Sequence, residues 1–171
     1  TDLGLAQADD SFEVSGGTFN KSIPDYYCAD GFIPKSNGDG TYGVKEGHYV
    51  AQVGSTKYET LADAIRLAAN GKTIQLLTDA TENITIAANK KNITLDLNGH
   101  TLNGGTGTAK AAILNKGTVT ITDTSAEKTG TIKRDDQGVE GETSYYVIQN
   151  LGTMVIDQAN VVNNSGYKKA N

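Results

Sequence analysis

The sequence predicts an all-β chain of the solenoid class: a right-handed parallel β-helix with one capping α-helix at its N-terminal end and a β-hairpin ahead of that helix. Three observations carry the prediction. First, the phrase Ile113-Leu-Asn115-Lys-Gly117-Thr118-Val-Thr-Ile121 returns 35 positions later as Ile148-Gln-Asn150-Leu-Gly152-Thr153-Met-Val-Ile156. Self-similarity at such a period marks a stacked-coil architecture, in which each coil buries its apolar side chains only against the next. Second, Ile93, Leu95 and Leu97 alternate with Thr94 and Asp96, which turns one face inward and leaves the other outside. Third, the composition suits short strands and tight turns: 37% hydrophobic, 20 glycines, abundant Thr and no Trp. An antiparallel β-sandwich is the competing topology, and strand polarity separates the two.

Each element follows from local residues. Val14-Ser-Gly-Gly17-Thr-Phe19 and Thr129-Gly130-Thr-Ile132 are weaker echoes of the repeated phrase, and Phe12–Phe19 reads as a strand. Next, Gly31–Lys35 and Thr41–Lys45 flank Ser36-Asn37-Gly38-Asp39-Gly40, a hairpin signal with turn residues at its centre. Tyr26, Tyr27, Cys28 and Phe32 are placed to pack against it. A boundary falls near Gly47, giving segments 1–47 and 48–171.

The helix runs from Leu61 to about Asn70. Thr60 and Asp63 supply a Thr-x-x-Asp capping pattern. Leu61, Ala64, Ile65 and Ala68 make one apolar stripe, and Gly71 stands where a C-terminal cap belongs. A stack needs its end covered, so this helix is expected to be a lid.

Strands are expected near Thr73–Leu77, Ile84–Ile86, Ile93–Leu97, Val119–Ile121 and Met154–Ile156, pairing mainly in parallel. The inward set is Leu61, Ile65, Ile93, Leu95, Ile113, Ile121, Ile148 and Ile156. An outward loop is expected within the charged stretch Thr124–Thr143, because the 35-residue offset exceeds one compact coil.

Charge and cysteine usage narrow the classes. A net charge of −5, with Lys and Arg scattered apart from Lys90-Lys91 and Lys168-Lys169, argues against a nucleic-acid partner. Cys28 is the single cysteine, which excludes an internal disulfide and a cysteine-based zinc site. No apolar run approaches the length of a membrane span. The abrupt start at Thr1-Asp2-Leu3 reads as a piece excised from something longer.

Two groups of motifs carry a resemblance. Ser15-Gly-Gly-Thr-Phe19, Tyr27-Cys28-Ala-Asp-Gly31-Phe32 and Asn37-Gly-Asp-Gly-Thr-Tyr42 resemble the closing segment of a β-helix module. Tyr58-Glu-Thr-Leu-Ala-Asp-Ala-Ile65 and Ile93-Thr-Leu-Asp-Leu-Asn-Gly-His-Thr-Leu102 are similar to an opening segment. The modules are the pectate-lyase-like, right-handed parallel β-helix repeats of large surface proteins from gut-dwelling Gram-positive bacteria. The resemblance covers most of the chain and implies an extracellular location, at the cell surface or secreted. It also implies that 1–47 closes one module while 48–171 begins the next. Phe12–Phe19 is then expected to cap an open coil, by folding back or by head-to-tail association with a second molecule.

Related folds include polysaccharide lyases and glycoside hydrolases, whose chemistry requires specific groups. Asp135-Asp136 beside Arg134 is the most tempting cluster, but neighbouring strand residues point to opposite faces and a hydrolase needs two carboxylates across one bond. Asp96, Asp123 and Asp157 sit beside coil corners, where carboxylates commonly satisfy turn backbone. His48 and His100 lie far apart with no metal-ligand spacing, and Asn37–Gly40 lacks the acids of a calcium loop. Cys28 has no nucleophile motif. Asn83-Ile-Thr85, Asn92-Ile-Thr94 and Asn163-Asn-Ser165 fit a glycosylation pattern that Asn- and Thr-rich chains produce by chance.

The expectation is therefore a non-catalytic binding or adhesion module, with no catalytic residues, metal or cofactor. Its partner would be a host protein or glycan, immunoglobulins among the candidates, and no residue selects one. A fragment of a β-helix lyase or hydrolase and a mechanical spacer are the alternatives. Neither polysaccharide cleavage nor calcium-dependent folding is expected.

Overall fold

The computed structural model describes residues 12–104, 111–135 and 146–164. The chain divides into two compact units, Thr1–His48 and Tyr49–Asn171. It is all-β in character, with one short α-helix.

In the first unit, β1 (Phe32–Ser36) and β2 (Tyr42–Glu46) form the antiparallel hairpin expected from the turn residues. Asp39 holds the turn by accepting hydrogen bonds from the Thr41 amide at 2.9 Å and the Thr41 hydroxyl at 2.6 Å. Phe12–Phe19 is not a strand. Val14 bridges Cys28 and Phe19 bridges Tyr42, with Gly17 between them at φ 107°, a backbone conformation closed to most side chains. Val14, Ile23 and Ile33 form the buried centre of this small unit.

The second unit opens with β3 (Ala51–Val53) and β4 (Thr56–Tyr58), which pair antiparallel. They lead to α1 (Leu61–Leu67). The Thr60 hydroxyl accepts from the Asp63 amide at 3.1 Å, and the Glu82 carboxylate accepts from the Leu61 and Ala62 amides at 2.8 and 3.0 Å. These acceptors satisfy helix donors that lack an internal partner. The helix ends three residues earlier than the sequence suggests, because Ala68 turns extended at ψ 132°. The Lys90 ammonium donates to the Arg66 and Ala68 carbonyls, closing this end from a distant strand connection. Leu61, Ala64 and Ile65 are buried, as the apolar stripe predicts.

Eleven further strands follow in chain order. They are β5 (Thr73–Leu76), β6 (Ala80–Thr81), β7 (Ile84–Ile86), β8 (Ile93–Asp96), β9 (Thr101–Asn103), β10 (Ile113–Asn115), β11 (Thr118–Thr122), β12 (Thr131–Arg134), β13 (Ile148–Asn150), β14 (Thr153–Ile156) and β15 (Asn160–Asn163). They sort into three ladders, β7-β10-β13, β5-β8-β11-β14 and β6-β9-β12-β15, and every pair within them is parallel. β3 extends the second ladder by pairing antiparallel with β5. The Greek-key pairing of a sandwich is absent among the described residues.

Inward side chains stack in register: Ile74 on Leu95 on Ile121, and Leu102 on Ile132, all fully buried. Two expectations need correction. Ile148 is only half-buried and Ile156 is 46% exposed, because β13 and β14 have a described neighbour on one side alone. Within Thr124–Thr143, Ile132 alternates inward and makes β12 part of the third ladder, while residues 136–143 lie outside the described residues.

The corners are tight where the repeated phrase lies. Gly152 stacks on Gly117 so closely that a Cβ at Gly152 would fall 2.2 Å from the Gly117 carbonyl oxygen. The connections from the third ladder back to the first differ. They span residues 82–83, then 104–112, then 135–147, so each connection is longer than the one before. Their exits stack through Gly104 N–H to Lys133 C=O, and their returns through Ile113 N–H to Val147 C=O.

Candidate functional site

The acidic residues singled out from sequence are held by the parallel ladders in structural positions. Asp96 closes β8 and is buried on the outer side of the second ladder. One of its oxygens accepts from the Asn98 and Thr124 amides at 3.0 and 2.9 Å. The other accepts from the Thr124 hydroxyl at 2.7 Å and Gln75 at 3.0 Å. Gln75 in turn accepts from Gln52, making a side-chain ladder that crosses the sheet from β3 to the residues after β11.

Asp123, fully buried at the turn after β11, gathers three amides. Gly99 and Ser125 donate to one oxygen at 2.9 and 3.0 Å, and Gly130 donates to the other at 2.6 Å. Burial alone would push this carboxyl up. The Ser125 side chain and the three amides outweigh it and hold the group below the usual carboxylate range, although the Ser125 hydroxyl makes no hydrogen bond of full geometry.

Asp135 directly follows β12, as the first residue of the connection 135–147. Lys133 pairs with it at 2.6 Å, while Asn164 and Asn103 donate at 2.9 and 3.1 Å. The Lys133 bond first, then the two amides, keep Asp135 ionised to lower pH than an ordinary Asp. A general acid needs the opposite shift, toward a protonated carboxyl at neutral pH. Arg134 turns inward and is buried, so it does not flank Asp135 on the surface. Asp136 lies outside the described residues. Asp157 is exposed after β14, its amide bonded to Ile121.

The remaining candidates are not brought together. His100 is 3.6 Å from Asp79, whose carboxylate also accepts from the Thr101 amide. His48 belongs to the first unit and is exposed. Asp39 is occupied by its own turn. Cys28 is half-buried, and burial followed by the nearby Asp25 raises its thiol above the ordinary value, the wrong direction for a nucleophile. Asn83 donates to the Ala111 carbonyl, whereas Asn92 is exposed at φ 53°. Ser165, the end of the third sequon, lies outside the described residues. Among the described residues no group of three His, Cys, Asp or Glu could hold a metal ion, and no helix is long and apolar enough to cross a membrane.

The role of one polar side chain in the repeated phrase was not read from the sequence. Asn115 is fully buried. Its amide nitrogen donates to the Asn150 side chain at 2.7 Å and the Thr153 carbonyl at 3.1 Å, and its oxygen accepts from the Gly117 amide at 3.0 Å. Asn150 repeats the local half of this pattern with Gly152. The signal was the recurrent Asn-x-Gly-Thr, whose asparagine ties one corner to the next.

On the outer side of the third ladder, Thr101, Thr131 and Asn160 stand in one row, and Thr81, Asn103, Lys133 and Val162 in the next. This face ends at the corner where the long connections leave. No family model, curated protein or solved structure matches the chain.

Proposed function

We propose that the second unit is the beginning of a right-handed parallel β-helix, and that the chain is a non-catalytic, extracellular binding or adhesion module of a bacterial surface protein. The handedness follows from the strong preference of parallel crossover connections within a sheet. The observation that carries the binding reading is the growth of chain at one corner, residues 82–83, then 104–112, then 135–147. In stacked-coil proteins, extra length collects on one face, often the face that binds. Beside it lies the row of Thr, Asn and Lys side chains on the third ladder, which offers donors and acceptors to a glycoprotein surface. Immunoglobulins are among the host glycoproteins that such a face would fit.

The commitment of Asp96, Asp123 and Asp135 to local partners weighs against the lyase or hydrolase alternative. The test is a binding panel of immunoglobulins, mucin-type glycoproteins, and host and plant polysaccharides against the immobilised chain. Saturable binding to a glycoprotein is expected. It should weaken about tenfold in a Lys133→Glu, Asn160→Arg double variant, a loss of about 1.4 kcal/mol. No binding to any probe would favour a spacer. Release of oligosaccharides would favour the enzyme.

A further inference from the structure

Asparagine is followed by glycine at four places in the chain: Asn37-Gly38, Asn70-Gly71, Asn98-Gly99 and Asn103-Gly104. Such a pair is chemically labile wherever the glycine nitrogen can reach the asparagine side-chain carbonyl, because glycine puts no side chain of its own in the way. The fold treats the four pairs differently. In the second unit each glycine amide is donated to a residue distant in sequence. Gly71 donates to the Lys91 carbonyl at 3.0 Å, Gly99 to the Asp123 carboxylate at 2.9 Å, and Gly104 to the Lys133 carbonyl at 2.9 Å. The three asparagines are held as well. Asn70 accepts from the Lys91 amide at 2.8 Å, Asn98 donates to the Leu76 carbonyl at 3.0 Å, and Asn103 donates to Asp135 at 3.1 Å.

The first pair has none of this support. Asn37 and Gly38 are exposed in the turn between β1 and β2. The Gly38 amide donates to the Ser36 hydroxyl at 3.3 Å, longer than the other three bonds, and a Cβ added at Gly38 would meet nothing within 4 Å. The same addition at Gly99 would meet Ser125 at 3.2 Å, and at Gly104 it would fall 2.1 Å from Ala112. The Asn37 side chain donates to the Thr41 hydroxyl at 3.0 Å, a single exposed contact. Contacts of this kind open at little cost. Asp39, which precedes Gly40, cyclises readily only as the protonated acid. The Thr41 hydroxyl first, then the Thr41 amide, keep it ionised to lower pH than an ordinary Asp.

We infer that Asn37 is a site of spontaneous deamidation in the folded chain, and that the coil corners protect Asn70, Asn98 and Asn103 from the same reaction. Hydroxide takes the proton of the Gly38 amide, and the nitrogen attacks Cγ of Asn37. The new N–C bond closes a cyclic imide as the bond from Cγ to Nδ2 breaks, and Nδ2 leaves as ammonia with a proton from water. Water then opens the imide at either carbonyl, giving aspartate or isoaspartate. Both products place a new negative charge beside Asp39. Isoaspartate also adds a methylene to the backbone of the turn. The inference rests on the partners of four amides and not on the ligand reading, so either can fail alone.

Peptide mapping by mass spectrometry tests it, on the full chain incubated in mildly alkaline buffer with and without urea. In the folded chain Asn37 is expected to convert first, with the other three at least about tenfold slower, because each must wait for a local opening. In urea the four should convert at similar rates. Asp123→Ala frees the Gly99 amide and should speed conversion at Asn98 relative to Asn70 and Asn103, a pattern that global unfolding would not produce. An Asn37 that keeps its amide in the folded chain while it converts in urea overturns the proposal. Conversion of Asn70, Asn98 or Asn103 as fast as Asn37 in the folded chain overturns the protection, as does an Asn98 indifferent to Asp123→Ala.

Discussion

Leu95→Ala and Ile121→Ala are each expected to lower stability by about 2–5 kcal/mol, while Ile156→Ala costs about 0.5 kcal/mol or less, as at an ordinary surface position. All three residues occupy inward positions of one ladder, Leu95 paired with Ile121 and Ile121 with Ile156. Only the first two have a coil on both sides, and both are fully buried. Truncating them leaves a cavity between layers that cannot collapse without breaking the ladders. Urea unfolding at a single low protein concentration measures the three together. Equal losses at Ile121 and Ile156 would mean that a further layer covers β14, against the exposure described for it.

The second large effect is expected at Asp123. Replacing it with Ala leaves the Gly99, Ser125 and Gly130 amides without their acceptor, and each unsatisfied buried donor costs about 1–3 kcal/mol. A loss of about 3 kcal/mol or more follows. Asp123→Asn keeps one oxygen but turns an amide nitrogen toward another donor, so it should recover only part of the loss. The same contacts set a pH dependence. The folded-state pKa lies below the unfolded value of about 3.9. The contribution is therefore complete above that value and disappears as pH falls through it toward the lower, folded pKa. Acid titration of the thermal midpoint should fall more shallowly in Asp123→Ala than in the parent protein. Parallel titration curves would remove Asp123 from the account.

How much of this was legible in the sequence depended on the range of the interaction. The hairpin could be read because its turn is local, with Asp39 bonding to Thr41 two residues away. The start of α1 could be read from Thr60 and Asp63, but its second cap, Glu82, lies 20 or more residues downstream and gave no periodic signal. Its end was overestimated because Gly71 looked like the cap, whereas Lys90 and the extended Ala68 close it sooner. The ladders were legible through Asn115 and Asn150, whose spacing is the register offset between β10 and β13. β12 showed only as the weak echo Thr129-Gly130-Thr-Ile132 among charged residues, and one of those charges, Arg134, turns inward with Ile132. Asp96, Asp123 and Asp157 looked alike as corner acids. Only the partners brought by neighbouring coils distinguish the two buried carboxylates from the exposed third.

The nearest-neighbour pairing of the ladders also has a consequence for the order of assembly. Thr73 pairs with Thr94, Thr94 with Thr120 and Thr120 with Val155, so no strand must find a partner more than about one coil away. The entropy of closing each loop rises only slowly with its length. Structure can therefore nucleate locally and propagate rung by rung. The coil under α1 is the best-anchored starting point, because Glu82 and Lys90 tie the helix to the connections beside β7 before any later rung is needed. β8 and β11 each acquire partners on both sides as propagation proceeds, while among the described residues β13 to β15 gain one. Amide exchange in the monomer should accordingly be slowest in β8 and β11 and fastest in β13 to β15, a gradient of local opening along the chain.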